Sequence, residues 1–386
     1  MREDAPTVVR MVAGRDVTYD VVHPARSVFD PREDALAARL GEREALLVVD
    51  ERFHALWGDS IRRYADRRLR LAGALLVEGT EQAKSWAQVE RICAAAVDAR
   101  LSRDGAIVGI GGGSALDMAG LAASLFRRGV TYIRVPTTLV GMVDVGVGVK
   151  HAVNFRGEKS ALGAFYPPAC GINDLSLLRT LPPRQISCGL AEIIKIAMVR
   201  DARLFETLEA HVDALLRSRF QHPIDVARRV ALDAERSMVD ELAPNLFESC
   251  RSRLVDFGHS FSPRLEAATG FQLPHGEAVA IDMTLSAALG VARELCGADV
   301  LDRLVRLCDR ADLPLTQTVL APQALWQSLQ DIRRHRGGSM NLVVPLEVGR
   351  AGFVQDVAPD DIAAALQILD ERVRPQPRPV YAGTGF

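Results

Sequence analysis

The chain has 386 residues, enough for two domains. A composition of 48% hydrophobic and 25% charged residues, with a formal net charge of −2 and no basic stripe, fits a globular protein without a nucleic-acid partner. No apolar run reaches membrane-span length and the opening MREDAPTVVR lacks a signal-like apolar core, so the expectation is no membrane partner and a cytoplasmic location. The six cysteines form no CxxC pair, which suits reduced, mostly buried thiols and disfavours a cysteine-built zinc site.

In chain order, a strand is predicted at 17–22, a helix at 32–40 and a strand at 45–49 ending in Asp50. A carboxylate there either accepts hydrogen bonds from a ribose or caps the next helix. Residues 52–69 read as a helix and 72–77 as a strand. GTEQAKSW follows, with Glu81 and Lys84 three apart, and 86–99 is helical. The apolar run 106–110 then meets Gly111, Gly112 and Gly113, with Ser114 as a candidate N-cap for a helix over 115–127. Three glycines let backbone N–H groups approach an anion at a helix N-terminus, so the turn is a candidate pyrophosphate site or simply a tight turn. It is not a GxGxxG fingerprint.

Residues 130–135 form another strand, stopped by Pro136, with Thr137 and Thr138 offering hydroxyls. The Gly/Val alternation over 143–149 predicts a strand, flanked by Asp144 and Lys150, with Lys159 on a loop beyond it. A short strand is expected at 170–174. The β/α alternation of the first half predicts a mostly parallel sheet with covering helices.

After Leu178 the texture turns helical. Helices are predicted at 185–200, 202–216, 224–241, 246–255, 278–295, 299–309, 322–329 and 359–372, with a strand pair within 341–355. The domain division expected is an α/β domain over 1–180, a mainly helical domain over 181–372 and a mobile proline-rich tail over 373–386. Glu192 and Lys195 share one face of an otherwise apolar helix, and buried charges need partners. Glu192, His259 and His275, from three separate segments, make a candidate catalytic metal set of one carboxylate and two imidazoles. Taken singly, each has an ordinary structural reading.

GGGSALDMAG, YIRVPTTLVGMVDVGVGVKHAVN, TLPPR, GLAEIIK, DFGHSFSP and LPHGEAVAIDM occur in the order and spacing of dehydroquinate synthase and its relatives, the sugar phosphate cyclases. The resemblance covers roughly residues 45–355. It implies an N-terminal α/β nucleotide-binding domain with a mostly parallel sheet and an all-α C-terminal metal-binding domain. It also implies NAD+, a divalent metal (Zn2+, with Co2+ as the alternative) and a homodimer. Carried over by position, Glu192, His259 and His275 fall on the metal ligands. Gly111, Gly112, Gly113, Asp117, Thr137, Thr138, Asp144, Lys159 and Thr180 fall on cofactor contacts, with Asp50, Glu81 and Lys84 near the adenosine end. Asp144, Lys150, Lys195, Asp256 and His335 fall on groups that hold substrate, and Arg128 on an arginine that reaches the neighbouring subunit's phosphate.

The departures from dehydroquinate synthase are informative. GHSFSP replaces GHTFGH, so Pro263 stands in for a substrate-binding histidine. An expected Asn is Asp256. The two basic residues that bind the substrate carboxylate fall on Ser252, with Arg251 and Arg253 near that register, and on Met238. DFGHSFSP with a later HRGG resembles the branch that cyclises sedoheptulose 7-phosphate, a seven-carbon ketose phosphate without a carboxylate, to a C7 cyclitol. His151 and Ser160 stand where relatives carry Thr and Asn. The mechanism this implies is transient oxidation by NAD+, β-elimination of phosphate, re-reduction and an intramolecular aldol. Dehydroquinate synthase, another sedoheptulose 7-phosphate cyclase and a metal-dependent polyol dehydrogenase of the glycerol dehydrogenase type remain as alternatives.

Overall fold

The computed structural model describes residues 16–316, 322–335 and 340–373. The side chain of His335 and the expected tail from 374 onward lie outside the described residues.

The first half alternates strands and helices: β1 (Asp20–Val22), α1 (Ala35–Leu40), β2 (Glu44–Asp50), α2 (Glu51–Arg68), β3 (Arg70–Val77), α3 (Trp86–Asp98), β4 (Ala106–Gly111), α4 (Gly113–Leu125) and β5 (Thr131–Pro136). A hairpin, β6 (Lys150–Phe155) and β7 (Glu158–Phe165), and the short β8 (Cys170–Ile172) complete it. Six strands form one parallel sheet in the order β1-β8-β5-β4-β2-β3. Alternation along β2 divides its side chains between the faces. Ala45, Leu47 and Val49 meet α1 and α2, while Leu46 and Val48 meet α3 and α4.

The chain runs from β2 outward to β3, then returns to β4 on the other side of β2. That reversal opens a crevice at the carboxyl ends of β2 and β4, where ligands of open α/β sheets bind. Asp50 ends one strand and Gly111 the other.

The second half is helical: α5 (Pro183–Arg200), α6 (Ala202–Ser218), α7 (Ile224–Leu242), α8 (Ser262–Ala268), α9 (His275–Ala292), α10 (Ala298–Arg310), α11 (Pro322–His335) and α12 (Pro359–Arg372), with the ribbon β9 (Leu342–Glu347) and β10 (Arg350–Val354). α5 and α9 are buried along most of their length and cross at the centre of the helical core. Gly276 makes that crossing possible. A Cβ there would lie 2.3 Å from the Cys188 carbonyl oxygen, so backbone meets backbone. No described helix is long and apolar enough to cross a membrane.

Four local expectations are corrected. Residues 143–149 are not a strand: Gly141–Val145 is a π-helical turn. Buried Arg134 donates to the carbonyls of Val145 at 3.0 Å and Gly148 at 2.7 Å, which ties the loop into a coil. Lys159 lies on β7 rather than on a loop; the hairpin's outward positions mix charged and small residues with exposed Phe155 and Phe165, which blurs the strand alternation. No helix spans 246–255. Asn245 instead hydrogen-bonds Ser249 and Cys250 in a side-chain-closed loop, which competes with helix formation. Finally, Ser114 is inside α4; the N-cap is Gly112.

Candidate active site

Between the halves lies a cleft of about 1020 Å3, room for more than one small molecule. On its α/β side are Glu81, Lys84, Gly112, Gly113, Asp117, Thr138, Asp144, Lys150 and Lys159; on its helical side are Lys195, Asp256, His259 and His275. Glu192, fully buried, stands directly behind the wall.

The N-terminus of the 13-residue α4 opens into the cleft as bare backbone. A Cβ on Gly112 or Gly113 would press on Thr138 or Val145 at 3.1 and 3.3 Å. Thr137 N donates to the Gly111 carbonyl at 2.9 Å, and Thr138 Oγ1 accepts from Gly141 N at 3.1 Å, which fixes the second wall. Such a cradle of free N–H groups fits a pyrophosphate. Beside it, Lys84 Nζ lies 2.6 Å from Asp117 and 4.0 Å from Glu81. Glu81 also accepts from Ser114 Oγ at 3.2 Å and Asn154 Nδ2 at 3.0 Å. Asp50 caps α2 through Arg52 N and Phe53 N, at 2.8 and 3.1 Å.

The three metal-donor candidates converge. One ligand atom each from Glu192, His259 and His275 lies within 4.8 Å of the others. His275 Nε2 is 3.3 Å from Glu192 Oε1, and Lys195 Nζ is 2.7 Å from Oε2. Neither contact has good hydrogen-bond geometry, so the buried carboxylate is held by ion pairs alone. His259 Nδ1 donates to the Phe257 carbonyl at 3.0 Å and His275 Nδ1 to Glu266 Oε1 at 3.0 Å. Each ring therefore has its Nδ1 engaged and turns Nε2 inward, His275's toward Glu192 Oε1, the arrangement of imidazoles held for a cation. One carboxylate and two imidazoles, with open space on one side, suit a catalytic zinc-type ion.

The electrostatics set the three groups apart, and a cation would have to displace the proton that His275 Nε2 shares with Glu192. Burial and Lys195 push His259 well below its usual range, leaving a neutral donor. Burial opposes the charge of Glu192, but Lys195 and the two imidazoles hold it well below the usual carboxylate range. Burial would also lower His275, yet Glu266 and Glu192 outweigh it and push it up to about 9. Burial raises Asp144, against the pull of Lys195.

Not every candidate reaches the cleft. Thr180 Oγ1 accepts from Trp57 Nε1 at 2.9 Å, away from the lining. Asp50, Gly111 and Thr137 lie just behind the surface they shape. Arg128 is exposed on the turn after α4 and does not line its own chain's cleft. Of the two departures near the lysines, His151 is buried beside Asp117 and Ser160 lies at the rim with φ of 52°.

Glu248 and Glu266 line the cleft and escaped the sequence reading. Of the residues near the register of the first carboxylate-binding basic group, Arg251 and Ser252 do not line the cleft, while Arg253 enters it. Its guanidinium is engaged by Glu248 and Asp256, and Glu248 also pairs with Lys150 at 2.8 Å. Met238 lines the cleft at the other position. Pro263 lies in the first turn of α8, where its missing N–H is not needed.

The chain matches the family models for the 3-dehydroquinate synthase N-terminal region over residues 74–188 and C-terminal region over 189–334. It is 43% identical to a 2-epi-5-epi-valiolone synthase of Streptomyces glaucescens over 92% of each chain. ValA, the 2-epi-5-epi-valiolone synthase of Streptomyces hygroscopicus subsp. jinggangensis 5008, was solved with NAD+ and Zn2+ bound. It is 39% identical, with a TM-score of 0.89 over 94% of this chain and 100% of its own. 2-deoxy-scyllo-inosose synthase, solved with carbaglucose-6-phosphate, NAD+ and Co2+, shares the fold at 22% identity, with a TM-score of 0.77 over 92% of this chain and 96% of its own. The chain therefore belongs to the dehydroquinate synthase-like family of sugar phosphate cyclases, with 2-epi-5-epi-valiolone synthases among its similar relatives.

Proposed function

We propose that this protein converts sedoheptulose 7-phosphate to 2-epi-5-epi-valiolone with release of phosphate, using NAD+ and a divalent metal ion, Zn2+ or Co2+. One observation supports the reading above the rest: His259 and His275, with Glu192 directly behind them, and the open N-terminus of α4 meet at the same cleft. When bound, the cation supplies Lewis acidity, and NAD+ accepts a hydride and returns it.

The chain's own groups do the rest. Glu81, Lys84, Asp117, Thr138 and Lys159 hold the dinucleotide along the cleft. Asp144, raised by burial, and Lys195 orient substrate hydroxyls and can hold a proton there. Lys150 grips the phosphate, with His335 assigned to the same end. Asp256 takes a further hydroxyl. Met238 and an already engaged Arg253 favour a substrate without a carboxylate, because neither offers a free bidentate cation.

Arg128 can reach a phosphate only from another copy of the chain, which favours a homodimer; light scattering checks this. All six cysteines are unpaired, in keeping with a reducing, cytoplasmic location.

The test of substrate is direct. Purified protein should release phosphate from sedoheptulose 7-phosphate and give a product whose NMR spectrum is that of 2-epi-5-epi-valiolone. Preference for the carboxylate-bearing dehydroquinate synthase substrate would refute this reading. Net NADH production from simple polyols would instead favour a dehydrogenase.

A further inference from the structure

Glu266 sends its two carboxylate oxygens to different halves of the molecule. It sits on α8 and is 3% exposed. Oε1 accepts from His275 Nδ1 at 3.0 Å, on the first residue of α9. Oε2 accepts from Lys159 Nζ at 2.5 Å, on β7 of the hairpin. His275 turns its other nitrogen to Glu192, while Lys159 lines the cleft with Glu81 and Gly112. Close by, Gln82 Nε2 donates to the Phe271 carbonyl at 3.3 Å, a second tie between the halves. The bridge is thus a buried carboxylate held by two donors that approach from opposite sides of the cleft.

We propose that Glu266 is a positioning residue that couples cation binding at the donor set to cofactor binding in the cleft. This rests on the function proposed above, and it adds a link between the two sites. A planar carboxylate shared by two partners cannot turn toward one without leaving the other. A cation on His275 Nε2 keeps the proton on Nδ1 and locks the ring. The locked ring fixes Glu266, and Glu266 fixes the ammonium of Lys159. That ammonium has three donors, so it can stay on Glu266 and still face a ligand. A long, flexible side chain is then ordered before the cofactor arrives, which lowers the cost of binding. By thermodynamic reciprocity, NAD+ must tighten the cation by the same factor.

The experiment uses the full chain without substrate. Protein stripped with chelator is titrated with NAD+, then again after loading with Co2+. Co2+ is titrated with and without saturating NAD+, read by its visible absorption. Calorimetry follows NAD+. The expected result is a mutual tightening of about tenfold in each direction. Glu266→Gln keeps the shape but cannot accept from both cations. Its coupling factor should fall to within about twofold of unity, and its Co2+ affinity should drop about 10- to 100-fold. Lys159→Met should lose the coupling while keeping wild-type Co2+ affinity in the absence of NAD+. Lys159 is 27% exposed, so this variant keeps the test open if Glu266→Gln fails to fold. Independent binding of both ligands to the wild type, or full coupling in Lys159→Met, would overturn the link and leave the proposed function standing. Failure of the wild type to bind either ligand would remove both.

Discussion

Glu192 Oε2 and Lys195 Nζ, three residues apart on α5, stand 2.7 Å apart with 0% and 2% of their side chains exposed. A buried carboxylate next to a buried ammonium offsets part of the desolvation each suffers, and leaves Oε1 turned toward His275. Burial opposes the charge on Lys195, but Glu192 and Asp144 keep its ammonium above the usual range.

Removing the ammonium should therefore expose a dependence on metal. Lys195→Met takes from buried Glu192 its ammonium partner, leaving only the imidazoles against its charge, a loss of up to about 3–5 kcal/mol. Denaturant unfolding in chelator should show that loss, and saturating Zn2+ should recover much of it, because the cation supplies the missing charge. Equal losses with and without Zn2+ would mean that no cation sits against Glu192.

Glu192→Gln keeps the volume and removes the anionic donor. Since even outer partners of metal ligands are worth about 10–100-fold in affinity, loss of a direct donor should weaken metal binding by more than about 100-fold. Elemental analysis after dialysis should find the wild type loaded and the variant empty, and phosphate release should fall with metal content. A variant that retains a full equivalent would place the ion elsewhere.

Gly120 on α4 makes room for His151. A Cβ at Gly120 would lie 2.4 Å from His151 Nδ1. The ring is walled in: its Nε2 lies 3.1 Å from the Tyr166 carbonyl, and the Tyr132 ring meets it edge-on at 5.2 Å. Glycine to alanine inside a helix ordinarily gains about 1 kcal/mol, but overpacking here should cost about 1–3 kcal/mol and win. Gly120→Ala should lower Tm, and adding His151→Thr should restore it. A stabilised single variant would show that the ring moves freely.

Asp282 supplies a pH dependence away from the metal donors. Its carboxylate accepts from Phe261 N at 2.5 Å, Ser262 N at 2.9 Å and Ser286 Oγ at 3.0 Å, and so holds the start of α8. Burial outweighs these bonds and pushes its carboxyl up from 3.8 to about 6. A folded value above the unfolded one means that protonation favours folding. The contribution, on the order of 3 kcal/mol, is fully present below the unfolded value and is lost as pH rises through about 6. In Asp282→Asn that part of the pH slope should vanish. Parallel unfolding profiles for the two proteins would contradict it.

The parallel sheet was readable in the sequence because its strands are short apolar runs bounded by turn residues, as at Ala106–Gly111. Residue types alone offered the donor set as one candidate among ordinary structural readings, and the family resemblance singled it out, since Glu192, His259 and His275 lie on segments that no local spacing joins. What stayed hidden depends on three-dimensional partners. The Gly/Val pattern after Asp144 suits a strand until Arg134, ten residues upstream, coils it. Glu266 is one more acidic residue on a short helix until His275 and Lys159 close on it from opposite sides. Arg253 could not be told from Arg251 as the cleft residue without the path of the loop that carries Glu248.

The most direct measurement follows phosphate and NADH together. The protein, loaded with Zn2+ or Co2+, is given sedoheptulose 7-phosphate and only a small fraction of an equivalent of NAD+. If both sites serve one sugar and the hydride comes back, all of the substrate should yield phosphate while NADH stays at trace level. Phosphate release that stops once the NAD+ is used, with NADH left behind, would contradict this.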